Sequence, residues 1–185
     1  MPADFYTILA HVEDGPKRML VELAYLTGVR KGQLQKTELR NVRVERGSVS
    51  ALVWDAPKVK KRREHVIPLE GRAREIVQDL WRARRPGCLL FHIEGRPLGT
   101  LRTEWARACK AAGFAAGRKA GGFVFHDTRR SAVTNLAAAN VPDVVARSIS
   151  GHRTPSVHVR YCITPETAQR AALVAADGVV KAGRS

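Results

Sequence analysis

Acids are scarce in this 185-residue chain: 17 Asp plus Glu stand against 32 Lys plus Arg, a formal net charge of +15. A surplus of that size points to a polyanionic partner, most often nucleic acid. Cysteine is also scarce, at three residues, Cys88, Cys109 and Cys162. An odd number at wide spacing argues against a disulfide framework or a CxxC metal site. The six histidines (11, 65, 92, 126, 152 and 158) form no HxxxH or HxH pair, so no zinc enzyme is expected. No apolar run approaches the ~18 residues of a membrane span. The start, MPADFYTILAHVEDG, carries acids where a secretory signal would have a basic segment and a long apolar stretch. Internal repeats and low-complexity linkers are missing as well. The expectation is an intracellular, basic, globular chain without a membrane segment. At 44% hydrophobic residues it can bury a core, and its length suits one domain.

The periodicity of what is present gives a coarse layout. KRMLVELAYLT at 17–27 has apolar residues at helical spacing, and Gly28 follows as a helix-ending glycine. A short helix is expected from Arg30 through Leu34. Strand character follows around Val42–Val44, Ser50–Trp54 and His65–Pro68, with Gly47 turning the first pair and basic Lys58–Arg63 between the second and third. From Gly71 helices dominate: about 70–84, 98–113, 126–139, 142–149, 154–162 and 165–180. Pro142, Pro155 and Pro165 fit first-turn positions, Thr154 and Thr164 fit N-caps, and Gly151 fits a stop. The expected fold is α+β, mainly α-helical, with one small antiparallel sheet of about three strands.

Several residues could carry chemistry. His126 and Arg129 are three apart at a helix start and share a face. A guanidinium there matches phosphate oxygens, and the helix N-terminus favours anions. The plainer reading makes His126 a cap and pairs Arg129 with an acid such as Asp127. Arg30 follows the helix-ending Gly28, another suitable place for a phosphate. In Pro57-Lys58-Val59-Lys60-Lys61-Arg62-Arg63 the charge is either a solvated turn, a backbone contact, or a lysine reaching into a substrate. Gly151-His152 lies between two expected helices. Tyr161 lies in the second of these, where a tyrosine is usually a packing residue.

The order of these features is more specific than any one of them. Arg, lysine-rich hairpin, HxxR, Gly-His and Tyr, with nine residues from His152 to Tyr161, resembles the catalytic domain of the tyrosine recombinase (phage integrase) family. The strings that carry the likeness are LTGVRKGQL, the hairpin ending in VIPL, FHDTRRSAVTNLAAANVP, and SGH followed by VRY. The resemblance covers nearly the whole chain, from about residue 5 to about 175.

The resemblance implies cutting and rejoining of DNA without metal or cofactor. Tyr161 is then the nucleophile, giving a 3′-phosphotyrosine and a free 5′-hydroxyl. Arg30 and Arg129 clamp nonbridging oxygens, His152 donates to the phosphate, and His126 moves a proton near the nucleophile. Counting back from VIPL selects Lys60 as the proton donor to the leaving oxygen, with Lys58 the alternative. Lys58, Lys61, Arg62 and Arg63 would also touch the DNA backbone. The resemblance further implies double-stranded DNA as partner, a homo-tetramer when synapsed, a monomer when alone, and a nucleoid-associated, cytoplasmic location. It makes residues 1–185 a catalytic domain with a C-terminal helix and tail at about 164–185, lacking the family's N-terminal core-binding domain. Integration or excision within a phage or mobile element is the implied use. Rival readings are a type IB topoisomerase-like relaxase and a DNA-binding module that keeps the fold. Three departures stand out. Gln33 occupies a position where the family often has an acid, which should alter support of Arg30. Thr128 replaces a commoner apolar residue. Ile149-Ser150 replaces a commoner Leu-Leu or Met-Leu.

Overall fold

In a computed structural model, the structure describes residues 2–55 and 64–151, together with four helical positions at 170, 173, 174 and 177. Helix α1 spans Pro2–Leu9, α2 Pro16–Thr27 and α3 Lys31–Gln35. Strands β1 (Val42–Glu45), β2 (Ser48–Trp54) and β3 (His65–Pro68) form an antiparallel sheet in that order. Helix α4 spans Gly71–Arg82. A two-residue hairpin pair, β4 (His92–Ile93) and β5 (Arg96–Pro97), precedes α5 (Arg102–Ala111), α6 (His126–Ala138) and α7 (Asp143–Ser150). The mainly helical α+β expectation holds. The meander is where the sequence put it, and Arg46 and Gly47 turn β1 into β2 with φ of 52° and 80°. Two consecutive positive φ values match the right-handed twist of a tight hairpin.

Other expectations need adjustment. Helix α1 and the β4–β5 pair were not foreseen, because segments of eight and two residues carry little periodicity. Pro142 is the N-cap of α7, in extended geometry, and Asp143 takes the first turn. The carbonyl of Pro142 accepts from Val145 and Ala146, which closes that turn. The expected helices at 154–162 and 165–180 lie outside the described residues, apart from the four positions named above.

Helix α2 organises the core because both its faces are apolar. Leu20, Leu23 and Ala24 join Leu52 and Ile67 of the sheet, and Ile76 and Val77 of α4. Val21 and Tyr25 join Phe5 and Ile8 of α1, and Trp105 and Cys109 of α5. Tyr25 stacks on Phe5 at 3.7 Å between ring centroids. The one acid on α2's buried surface, Glu22, receives a two-pronged bond from Arg72 at 3.0 and 3.1 Å, so its charge is matched. No helix among the described residues is long and apolar enough to cross a membrane.

Candidate active site

Helix α2 ends at Gly28, in the left-handed conformation with φ 69°. A Cβ there would lie 3.1 Å from that of Ala132 in α6 and 3.3 Å from that of Ser150 in α7. Glycine therefore serves twice: it permits the turn, and it lets three helix ends meet. The two candidate arginines sit around this junction in unlike settings.

Arg129, in the first turn of α6, is 3% exposed. Its Nη1 donates to the carbonyl of Gly28 at 2.5 Å and, by a very short bond, to that of Ser150. The guanidinium thus ties the end of α2 to the end of α7. Arg30, the N-cap of α3, is exposed, and its Nη1 donates to the Gly151 carbonyl at 3.2 Å. Neither Asp127 nor a His126 cap fills the plainer sequence reading of HxxR. Asp127 accepts instead from the Val124 amide at 2.8 Å and lies 3.5 Å from Arg130. His126 makes no side-chain cap.

Arg30, Lys31, His126 and Arg129 line one cavity of about 320 Å³, with Phe125 and Thr128 at its wall. Thr128 is buried, and its hydroxyl donates to the Phe125 carbonyl at 2.8 Å, so a polar residue is tolerated at this departure from the family pattern. Lys31 lies 5.5 Å above the Phe125 ring. The cavity concentrates positive charge, which suits an anion. The His126 pKa is lowered, by partial desolvation first and then by Arg129 and Arg118, so its imidazole is neutral at neutral pH. A larger groove of about 690 Å³ between α4 and the β1–β2 turn mixes Glu75 and Asp79 with Arg74 and Arg82. It offers no such single-sign field. Among the described residues no cluster of His, Cys, Asp and Glu could hold a metal ion.

Lys60, His152 and Tyr161, with the backbone candidates Lys58, Lys61, Arg62 and Arg63, lie outside the described residues. Gln33 has a partner that the sequence did not indicate. Its amide bonds His65 at 2.9 Å, and that ring bonds the carbonyls of Ser148 and Ile149, each at 3.1 Å. Sequence reasoning passed over His65, which it placed only as the start of a strand. The one available signal was its position ahead of VIPL.

The sequence profile of the phage integrase family matches residues 3–165. No curated protein sequence matches significantly. Solved structures do. The XerH site-specific recombinase in a post-cleavage complex with palindromic difH substrate is 19% identical, with a TM-score of 0.65, over 92% of this chain and 51% of that one. A Tn1549 transposon integrase in complex with transposon right end DNA is 17% identical, with a TM-score of 0.69, over 94% and 64%. A lambda integrase tetramer bound to a Holliday junction is 20% identical, with a TM-score of 0.67, over 87% and 46%. At such identities the likeness is one of fold. The chain spans between about half and two thirds of the length of these proteins.

Proposed function

Since the chain belongs to the phage integrase family, we propose that it cuts and rejoins double-stranded DNA at a defined site through a covalent tyrosine intermediate. The observation that carries this reading is the convergence of Arg30 with His126 and Arg129, about a hundred residues further along the chain, on one cationic cavity. Two guanidiniums there would hold the nonbridging oxygens of a scissile phosphate and offset charge that grows in the transition state. Both are already oriented by backbone carbonyls, so less freedom is lost on binding.

The Tyr161 oxygen would attack phosphorus and displace the 5′-oxygen, forming a 3′-phosphotyrosine. A free tyrosine holds its proton at neutral pH, with a pKa of about 10. His126, neutral in its setting, is suited to receive it. The departing 5′-oxygen would take a proton from Lys60, or from Lys58 if the hairpin register differs. Attack by a 5′-hydroxyl on the phosphotyrosine then reseals the strand and frees the tyrosine, so the bond energy is conserved and no cofactor is consumed. His152 would add a donor to the phosphate. Lys61, Arg62 and Arg63 would contact flanking backbone, a sequence-independent and salt-sensitive grip. The solved relatives are dimers, tetramers and other complexes on DNA. A homo-oligomer on synapsed duplexes is proposed here by the same reasoning.

The test is adduct formation on a library of nicked duplexes that lose a short fragment on cleavage, which traps the covalent species. Denaturing gels should show a chain–DNA adduct, and sequencing its DNA should reveal a preferred core site. Tyr161→Phe should give none. An adduct that persists in this variant would place the nucleophile elsewhere. Relaxation of supercoiled plasmid without site preference would favour a relaxase.

A further inference from the structure

Four consecutive carbonyls end α7, and each is taken by a side chain from another element. His65 of β3 bonds those of Ser148 and Ile149, Arg129 of α6 bonds that of Ser150, and Arg30, just before α3, bonds that of Gly151. The last carbonyls of a helix have no partners within it, so such caps fix where the helix end lies. Two of the three capping side chains are the arginines assigned above to the scissile phosphate. The third has no assigned role.

The bonding of His65 is self-consistent in one neutral form only. The Gln33 Nε2 amide can only donate, so Nδ1 of His65 must accept, and the ring proton sits on Nε2. From there it is shared between the two α7 carbonyls. With the amide turned over, its oxygen would need a proton on Nδ1. The Nε2 lone pair would then face two oxygens, or the ring would have to be an imidazolium. Among the described residues, the charged groups acting on the ring are Arg129 of α6 and Arg30 before α3, both cations, while the neighbours on α3 and β2 are the neutral Gln33 and Trp54. Burial adds to their effect, so the neutral ring is favoured. The ring is also closely seated: it lies 5.4 Å from the Trp54 ring centroid, and a Cβ on Gly151 would come within 2.9 Å of Cε1.

We infer that His65, held as its neutral Nε2–H tautomer by Gln33, is a positioning residue that pins the end of α7 and so sets Gly151 against Arg30. Gly151 directly precedes His152 in the chain, so the pin also fixes where the chain departs toward that residue. An uncharged partner is required: a carboxylate at position 33 would draw a second proton onto the ring. Gln33 and His65 thus form a matched pair, which accounts for the departure from the family's acid at this position. The catalytic consequence rests on the recombinase reading, and the tautomer does not.

Long-range ¹⁵N–¹H correlation spectra of the full ¹⁵N-labelled chain, with His65 assigned by His65→Phe, should show a neutral Nε2–H ring at neutral pH. In single-turnover adduct formation at saturating nicked duplex, Gln33→Leu and His65→Phe should slow cleavage about 10- to 100-fold. Their DNA affinity should stay within about twofold, as for an effect on the chemical step. Gln33→Glu should raise the His65 pKa, and its cleavage rate should fall as pH climbs through that raised value, a limb the wild-type profile lacks. A wild-type ring protonated on Nδ1, or doubly protonated at neutral pH, overturns the inference, as does a wild-type cleavage rate in Gln33→Leu. Should His65→Phe fail to fold, the spectra and the Gln33 variants still decide. Should the wild type form no adduct on any duplex, the recombinase reading falls, and the pin is judged by the tautomer and by hydrogen exchange. The Gly151 amide, bonded to Arg147 at 2.8 Å, should then exchange about tenfold faster in Gln33→Leu.

Discussion

The core around α2 and the seam at the end of α7 hold the molecule together by opposite means. In the first, Leu20, Leu23, Leu52, Ile67 and Ile76 are almost wholly buried and pack in one apolar cluster. Such contacts are non-directional, and they add up by area. In the second, Arg30, Arg129 and His65 bind carbonyls one by one, at fixed distances and from three different elements. Losing one bond there changes stability modestly and geometry considerably. The division bears on the proposed function: a core can be repacked without moving the proposed phosphate site, whereas the seam and that site share their arginines.

The sharpest way to break this contrast is a cavity in the core. Leu52→Ala, fully buried in β2, should cost about 2–5 kcal/mol in denaturant unfolding. The folded fraction should still cleave DNA at nearly the wild-type rate. Slow cleavage by well-folded protein would mean that the core also sets the site.

Arg129→Met follows in size and should fail on both counts. It removes a buried cation and leaves the carbonyls of Gly28 and Ser150 without that donor, for about 1–3 kcal/mol of stability. Adduct formation should fall by about a thousandfold, as when a preorganised donor to transition-state charge is lost. Arg30→Ala is the control. Its side chain is exposed, so stability should change by less than about 0.5 kcal/mol while cleavage is lost to a similar degree. A large stability loss in Arg30→Ala would erase the proposed difference between the two arginines. Gly28→Ala comes next. Positive φ and contacts at 3.1 and 3.3 Å should together cost about 1–3 kcal/mol, and the pushed-apart helix ends should slow cleavage.

The same contrast explains what could be read from the sequence. Helix α2, the β1–β3 meander and the Gly28 and Gly151 stops are local features, and spacing within a dozen residues reveals them. The order of Arg30, His126 and Arg129 was legible because it resembles a known pattern, and one cavity does unite them. The capping of α7 was not legible. His65 and Ile149 are 84 positions apart, and nothing in either neighbourhood signals the other. The partner of Gln33 was hidden for the same reason: its nearest conspicuous neighbour in sequence was Arg30, but the fold brings His65 to its amide. A buried apolar position announces itself through its neighbours in the chain. A directional polar bond depends on an element that folding alone supplies.

The smallest predicted effect concerns pH, and it divides the two regions cleanly. His65 and His126 both have lowered pKa values in the folded chain, each by desolvation first, with Arg129 among the further causes. In the unfolded chain each should titrate near the ordinary value of about 6.5. Between that value and the lower folded one, the unfolded state binds more protons, so stability falls as pH falls. Their contribution is therefore fully present above about pH 6.5 and is lost as pH drops through the folded values. The cluster of Leu20, Leu23, Leu52, Ile67 and Ile76 contains no titratable side chain and should not respond. Thermal unfolding followed from mildly acidic to neutral pH should show a lower midpoint on the acid side. Replacing His65 by Phe should flatten part of that slope and His126→Gln another part. Leu52→Ala should lower the whole curve without changing its shape. A slope that survives both histidine replacements would place the pH-sensitive groups outside the seam.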